Sequence, residues 1–161
     1  MLFTDNSLPL ERCPVPFYYY LDTSALVKRH HVERGTTRLD MVFAEPDATL
    51  IIASITIAEL TSAIVLKHEQ GEISQEALLH TLSKFSEDLI AEFWILDIER
   101  HHIHQAQELI LRYGLRTLGS LQLSLLLVTK ALSPIFLCSD RRLLAAARAE
   151  GVTVQDPSAI A

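Results

Sequence analysis

The chain has 161 residues, 49% of them apolar, which suits one domain built around one core and is short for two. Fourteen basic against twenty acidic residues give a net charge of -6, which excludes a protein that coats nucleic acid through a general basic surface and leaves room only for a local basic site. Cys13 and Cys138 match no metal-ligand spacing, and the longest apolar stretch, LQLSLLLV from Leu121 to Val128, falls far short of the roughly 20 residues a bilayer requires. These features predict a soluble protein with free thiols in a reducing cytoplasm.

Residues 1–16 read as an N-terminal extension. Pro9, Pro14 and Pro16 each remove a backbone donor, no periodicity links the apolar residues, and the positive start and apolar run of a secretory signal are absent. From Phe17 the aromatic run FYYYL predicts a buried strand, followed by a helix from about Thr23. TLIIAS (49–54) is a second strand, followed by a helix from about Thr56 to Gln70 that Gly71 terminates and by another from about Ser74. FWILDI (93–98) is a third, followed by a helix through Ala106, Leu109 and Ile110 that ends near Gly114. Thr117 is a good N-cap for a helix running to about Ala131, yet Gly119 stands in its first turn, where it costs roughly 0.5–1 kcal/mol relative to alanine. PIFLC (134–138) is a fourth strand leading into the alanine-rich helix DRRLLAAARAEG, and VTVQ (152–155) is a short fifth. Strands alternating with helices imply a parallel sheet covered on both faces.

In such a sheet ligands bind beyond the carboxyl ends of the strands, which singles out Asp22 after the first strand, Asp140 after the fourth and Glu59 in the helix after the second. Each has a plain structural explanation. Asp22 and Asp140 suit helix caps, and Thr56 to Glu59 spells the capping box T-x-x-E. Alternatively, three neighbouring carboxylates repel one another and need a cation, and hard oxygen ligands select magnesium or manganese. His30, His31, His101, His102 and His104 are numerous, but no HExxH motif is present and they read as solvated helix-surface residues. There is no G-x-S-x-G, P-loop or G-x-G-x-x-G. Lys28, Arg29, Arg116, Arg141 and Arg142 flank the acidic edge, where they could hold phosphates, although solvated helix faces explain them as well.

Four segments, YLDTSALVKRH at 20–30, SITIAEL at 54–60, LRTLGSLQLS at 115–124 and FLCSDRRLLAAARAEGV at 136–152, together resemble a PIN domain. More narrowly they are similar to the VapC type, the ribonuclease half of bacterial and archaeal toxin–antitoxin pairs. The resemblance spans about residues 17–157 and leaves 158–161 as a C-terminal tail. It implies a PIN-like three-layer α/β/α sandwich with a mainly parallel, about five-stranded central sheet. It further implies about four acids binding Mg²⁺ or Mn²⁺ to hydrolyse RNA, a VapB-like antitoxin as protein partner, a homodimer, and no membrane. By position, Asp22, Glu59 and Asp140 match three of the acids, and Thr23 or Ser24 matches the small hydroxyl residue beside the first. The remaining acid normally stands where this chain has Gly119, followed here by Ser120, and the resemblance therefore implies weak metal binding.

Three readings follow from the sequence. The first is a metal-dependent endoribonuclease toxin with a degenerate site. The second is a catalytically inactive PIN fold that binds RNA or a protein. The third is a structural protein that uses the leucines between Leu115 and Leu132 as an interaction face, although core packing accounts for those residues. Glu33 and Asp97 are the carboxylates available to replace the missing one.

Overall fold

The computed structural model describes residues 17–159; the expected extension at 1–16, with Cys13, and residues 160–161 lie outside the described residues. The apolar runs form β1 (Phe17–Leu21), β2 (Ala48–Ala53), β3 (Phe93–Leu96), β4 (Ile135–Leu137) and β5 (Thr153–Gln155). All neighbouring pairs are parallel, in the order β3-β2-β1-β4-β5. β1 is therefore central, with β2 on one side and β4 on the other, so Asp22 leaves the sheet where the chain changes direction of winding.

Alternate residues of the central strands enter two separate cores, because a parallel sheet is buried on both faces. Tyr20, Ile51 and Phe136 pack beneath α5 (Arg100–Tyr113), α6 (Thr117–Val128) and α7 (Arg141–Ala149). Tyr19, Leu21, Leu50 and Ile52 pack beneath α1 (Thr23–His30), α2 (Thr36–Phe43), α3 (Ile55–Glu69) and α4 (Gln75–Ala91). The result is the expected three-layer sandwich, with the sheet wholly parallel.

The helices correct the sequence reading in three places. No helix is expected at 36–43, because α2 buries only Leu39 and Val42 and starts at Gly35, a left-handed residue with φ 103° in place of a polar cap. α6 starts one residue before the position implied by a Thr117 cap. Arg116 is the cap residue, its carbonyl accepting from Ser120 N at 2.9 Å, and Gly119 is the third helical residue. α6 also stops at Val128, short of Ala131, where a 3₁₀ turn over Lys130–Leu132 ends in left-handed Ser133. Ser158, assigned to a tail, is tied down by its hydroxyl to the Arg34 carbonyl at 3.1 Å. No helix among the described residues is long and apolar enough to cross a membrane.

Candidate functional site

Asp22 ends β1 and caps α1. One carboxylate oxygen, Oδ2, accepts from the Ser24 backbone at 3.0 Å and the Ser24 hydroxyl at 2.5 Å. The side chain is buried, and burial raises its pKa above the usual carboxylate value. The Ser24 bonds oppose that shift, while the nearby charge of Glu59 adds to it. The Ser24 hydroxyl also accepts from the Ser139 backbone at 2.9 Å, joining the ends of β1 and β4.

Glu59 does not close the capping box. α3 begins at Ile55 with Ser54 as an uncapped first residue, and Glu59 turns away from its own backbone into the site. Its Oε2 accepts from the Thr23 hydroxyl at 2.8 Å and from the Gln122 amide at 2.9 Å. Two tertiary donors converge on this one oxygen, where the local motif would offer a single backbone N–H. The Gln122 amide nitrogen also donates to Thr56 Oγ1 at 2.8 Å, and its oxygen accepts from Tyr20 OH at 3.2 Å. Burial pushes the Tyr20 phenol well above its ordinary pKa, with the charges of Asp22 and Glu59 adding to the effect.

Asp140 performs the capping role that the sequence allows it: Oδ1 accepts from Arg142 N at 2.8 Å and Leu143 N at 3.1 Å. Between it and Asp22 lies the buried Cys138 thiol, 3.6 Å from Asp22 Oδ2 and accepting from Asp140 N at 3.2 Å. Burial and then the Asp22 charge hold that thiol protonated, which makes it a poor nucleophile or soft-metal ligand.

Of the three acids, then, Asp22 and Glu59 are close enough to act on one another, and Asp140 stands beyond Cys138. No group of three or more Asp, Glu, His or Cys side chains able to share an ion occurs among the described residues. The donor chemistry fits a hard divalent cation held by two carboxylates and completed by water; it does not fit a four-acid cage. Gly119, the position expected from the resemblance to carry a further acid, is free of backbone constraint. Its φ is not positive, and a Cβ there would meet only Leu143 at 3.9 Å, an ordinary contact beside the Asp140 cap. The backbone therefore has no need of glycine. Gly119→Ala is expected to raise the unfolding free energy by about 0.5 kcal/mol, read by urea denaturation, and a loss of stability would show that glycine is required.

The remaining site residues divide. Ser120, expected beside the acids, is fully buried and donates to the Thr117 carbonyl at 2.8 Å, because its helical position turns it into α6. Lys28 is buried against Glu33 at 3.3 Å, and Arg29 is paired with Asp40 at 2.7 Å, so neither cation is free for a phosphate. The same pairing occupies Glu33, one of the two replacement carboxylates. The other, Asp97, is exposed after β3 beside Glu99 and His101. Arg116, Arg141 and Arg142 are exposed, with no carboxylate within 4 Å among the described residues, at the starts of α6 and α7. His102 is not a solvated helix residue: it is buried, and its Nδ1 accepts from Glu99 N at 2.9 Å. Gln122, Tyr20 and Cys138 are the site components that sequence reading missed. A glutamine inside a leucine-rich helix is the signal that marks the first of them.

No family model matches the chain, and no curated protein matches it significantly. Solved structures do. PAE2754 from Pyrobaculum aerophilum is 18% identical with a TM-score of 0.61, over 88% of this chain and 90% of that one. FitAcB from Neisseria gonorrhoeae is 17% identical with a TM-score of 0.63, over 88% of this chain and 99% of that one. The chain has the fold of a VapC-type PIN domain. VapBC2 from Rickettsia felis, solved bound to a DNA fragment from its promoter, shares this PIN fold at 18% identity and a TM-score of 0.56, over 87% of this chain and 98% of that one. The PIN fold places Asp22 at the centre of the sheet's carboxyl edge, flanked by the acids that follow β2 and β4.

Proposed function

We propose that this chain is the toxin-type partner of a toxin–antitoxin pair, an attenuated endoribonuclease that uses weakly held Mg²⁺ or Mn²⁺. The observation that carries the reading is the buried Asp22 set against a Glu59 fixed by two donors, at the switch point of a parallel sheet. Asp22 and Glu59 would hold the ion. A bound divalent ion polarises a phosphodiester and lowers the pKa of water. The protein's own groups do the rest. Ser24 fixes Asp22, Thr23 and Gln122 fix Glu59, and Arg116, Arg141 and Arg142 hold the phosphates of a single RNA strand against the edge. Solved neighbours that include a Klebsiella pneumoniae toxin-antitoxin complex support a VapB-like antitoxin as partner, and a cytoplasmic homodimer belongs to the same proposal.

Asp22→Asn is expected to abolish Mn²⁺-dependent cleavage of a mixed-sequence RNA, with the fold intact by circular dichroism. Cleavage that persists in Asp22→Asn, or that needs no divalent ion, would sink the reading. The capture of Glu59 by Thr23 and Gln122 also favours a second reading, in which hydrogen bonds replace the ion and the fold binds RNA or protein without cutting. Absence of cleavage together with retained RNA binding identifies it.

A further inference from the structure

We propose that Gln122 is the positioning residue of this site, an uncharged anchor through which α6 aims the Glu59 carboxylate. This rests on the reading above that the acids serve a divalent ion. Gln122 is 1% exposed and every polar atom of its side chain is used. One amide hydrogen goes to Glu59 Oε2 at 2.9 Å and the other to Thr56 Oγ1 at 2.8 Å, while the amide oxygen receives Tyr20 OH at 3.2 Å. The amide can stand only one way round, because an oxygen turned toward Glu59 would face a carboxylate that needs a donor. Tyr20, whose ring is locked edge-on against Phe136 in the core at 5.8 Å, therefore sets the amide, and the amide sets Glu59. The Thr23 hydroxyl takes the second lone pair of the same Oε2. Both protein donors thus load one oxygen, and Oε1 is left to meet an ion.

Gln122 lies one turn after Gly119, on the same side of α6. A side chain at 119 would point to Leu143 and the Asp140 end of the site, whereas Gln122 points to the Glu59 end. α6 therefore has two stations over the acidic edge. The first has lost its side chain, and the second keeps its full set of bonds, so half of the site is still held in its working geometry.

The test is Mn²⁺ binding without RNA, read by the electron paramagnetic resonance of free and bound ion. It is run in the native chain and in a Gly119→Asp background that restores the fourth acid. Gln122→Met, which keeps volume and removes every bond, is expected to weaken Mn²⁺ in that background by about tenfold or more, and Gln122→His, which can still donate to Glu59, to stay within about threefold. If Gln122→Met does not fold, Tyr20→Phe keeps the ring and frees the amide oxygen, and is expected to weaken Mn²⁺ by about fivefold, beyond the range allowed to Gln122→His. Undiminished binding in folded Gln122→Met, or in Tyr20→Phe where Met fails, overturns the proposal, as does failure of the histidine rescue. If only the Gly119→Asp chain binds Mn²⁺ and the Gln122 effect appears there, the positioning role stands and the native metal site fails. No binding in either background overturns both.

Discussion

Gly119→Asp is expected to tighten Mn²⁺ binding by tenfold to a thousandfold and to raise RNA cleavage with it. A carboxylate about 4 Å from an ion gains on the order of 4 kcal/mol per unit charge pair at an effective dielectric of ~20, and displacing the water that fills the position returns part of that. A net of roughly 1.5–4 kcal/mol gives the stated range. The structure supplies the space, since the added Cβ meets only Leu143 at 3.9 Å. It also supplies the field. α6 has no acidic residue in its first turn and no side-chain cap, so its positive end is uncompensated. Without metal the new acid adds repulsion beside Asp22, Glu59 and Asp140, so the variant's thermal midpoint should rise with Mn²⁺ much more than that of the native chain. Calorimetry on the two proteins decides the matter. Equal affinities would mean either that 119 is not a ligand position or that the gap is already compensated.

β1, β2 and β4 were legible as apolar runs that the sheet buries at its centre, whereas the edge strands β3 and β5 are only partly buried and were marked by their short apolar or β-branched runs between helical patterns. β1 through β5 fall within a residue or two of FYYYL, TLIIAS, FWILDI, PIFLC and VTVQ. α2 was not legible, because two buried residues and a glycine start carry no helical signal. At the site, the caps of Asp22 and Asp140 are local and could be read, whereas the partners of Glu59 could not. Thr23 and Gln122 lie 36 and 63 residues away in the chain, and T-x-x-E describes a bond that those partners displaced. Arg29 shows the same limit in reverse, since its salt bridge to Asp40 depends on a helix the sequence did not announce, while Lys28 is bound by Glu33 in the loop before that helix. The expectation of an acid at 119 comes only from the family pattern, and the structure adds that nothing in the backbone requires glycine there.

Acidification from pH 7.5 to 5 is expected to destabilise the protein through His30, which the sequence suggests is solvated. The ring closes the end of α1 against Phe85 of α4, edge-on with centroids 5.3 Å apart, and its Nε2 is buried with no partner. Burial lowers its pKa from 6.5 to about 4; the charges of Arg29 and Lys84 push the same way and Asp88, itself held by Lys84 at 2.8 Å, opposes them. Because the folded pKa lies below the unfolded one, the unfolded state binds more protons between those values, so stability is complete above pH 6.5 and drains away as pH falls toward 4. The loss should be about 2 kcal/mol at pH 5 and approach about 3 kcal/mol at the bottom of the window. His102, whose pKa burial also lowers, acts in the same direction, and Asp22 works against both, since a raised carboxylate pKa favours the folded state at low pH. His30→Phe isolates one of them: it keeps an aromatic contact with Phe85 and cannot take a proton. Urea midpoints of the two proteins at several pH values should diverge below pH 6.5, with the variant holding its stability. Parallel curves would show that His30 takes its proton as readily in the folded state as in the unfolded one, and would overturn the prediction.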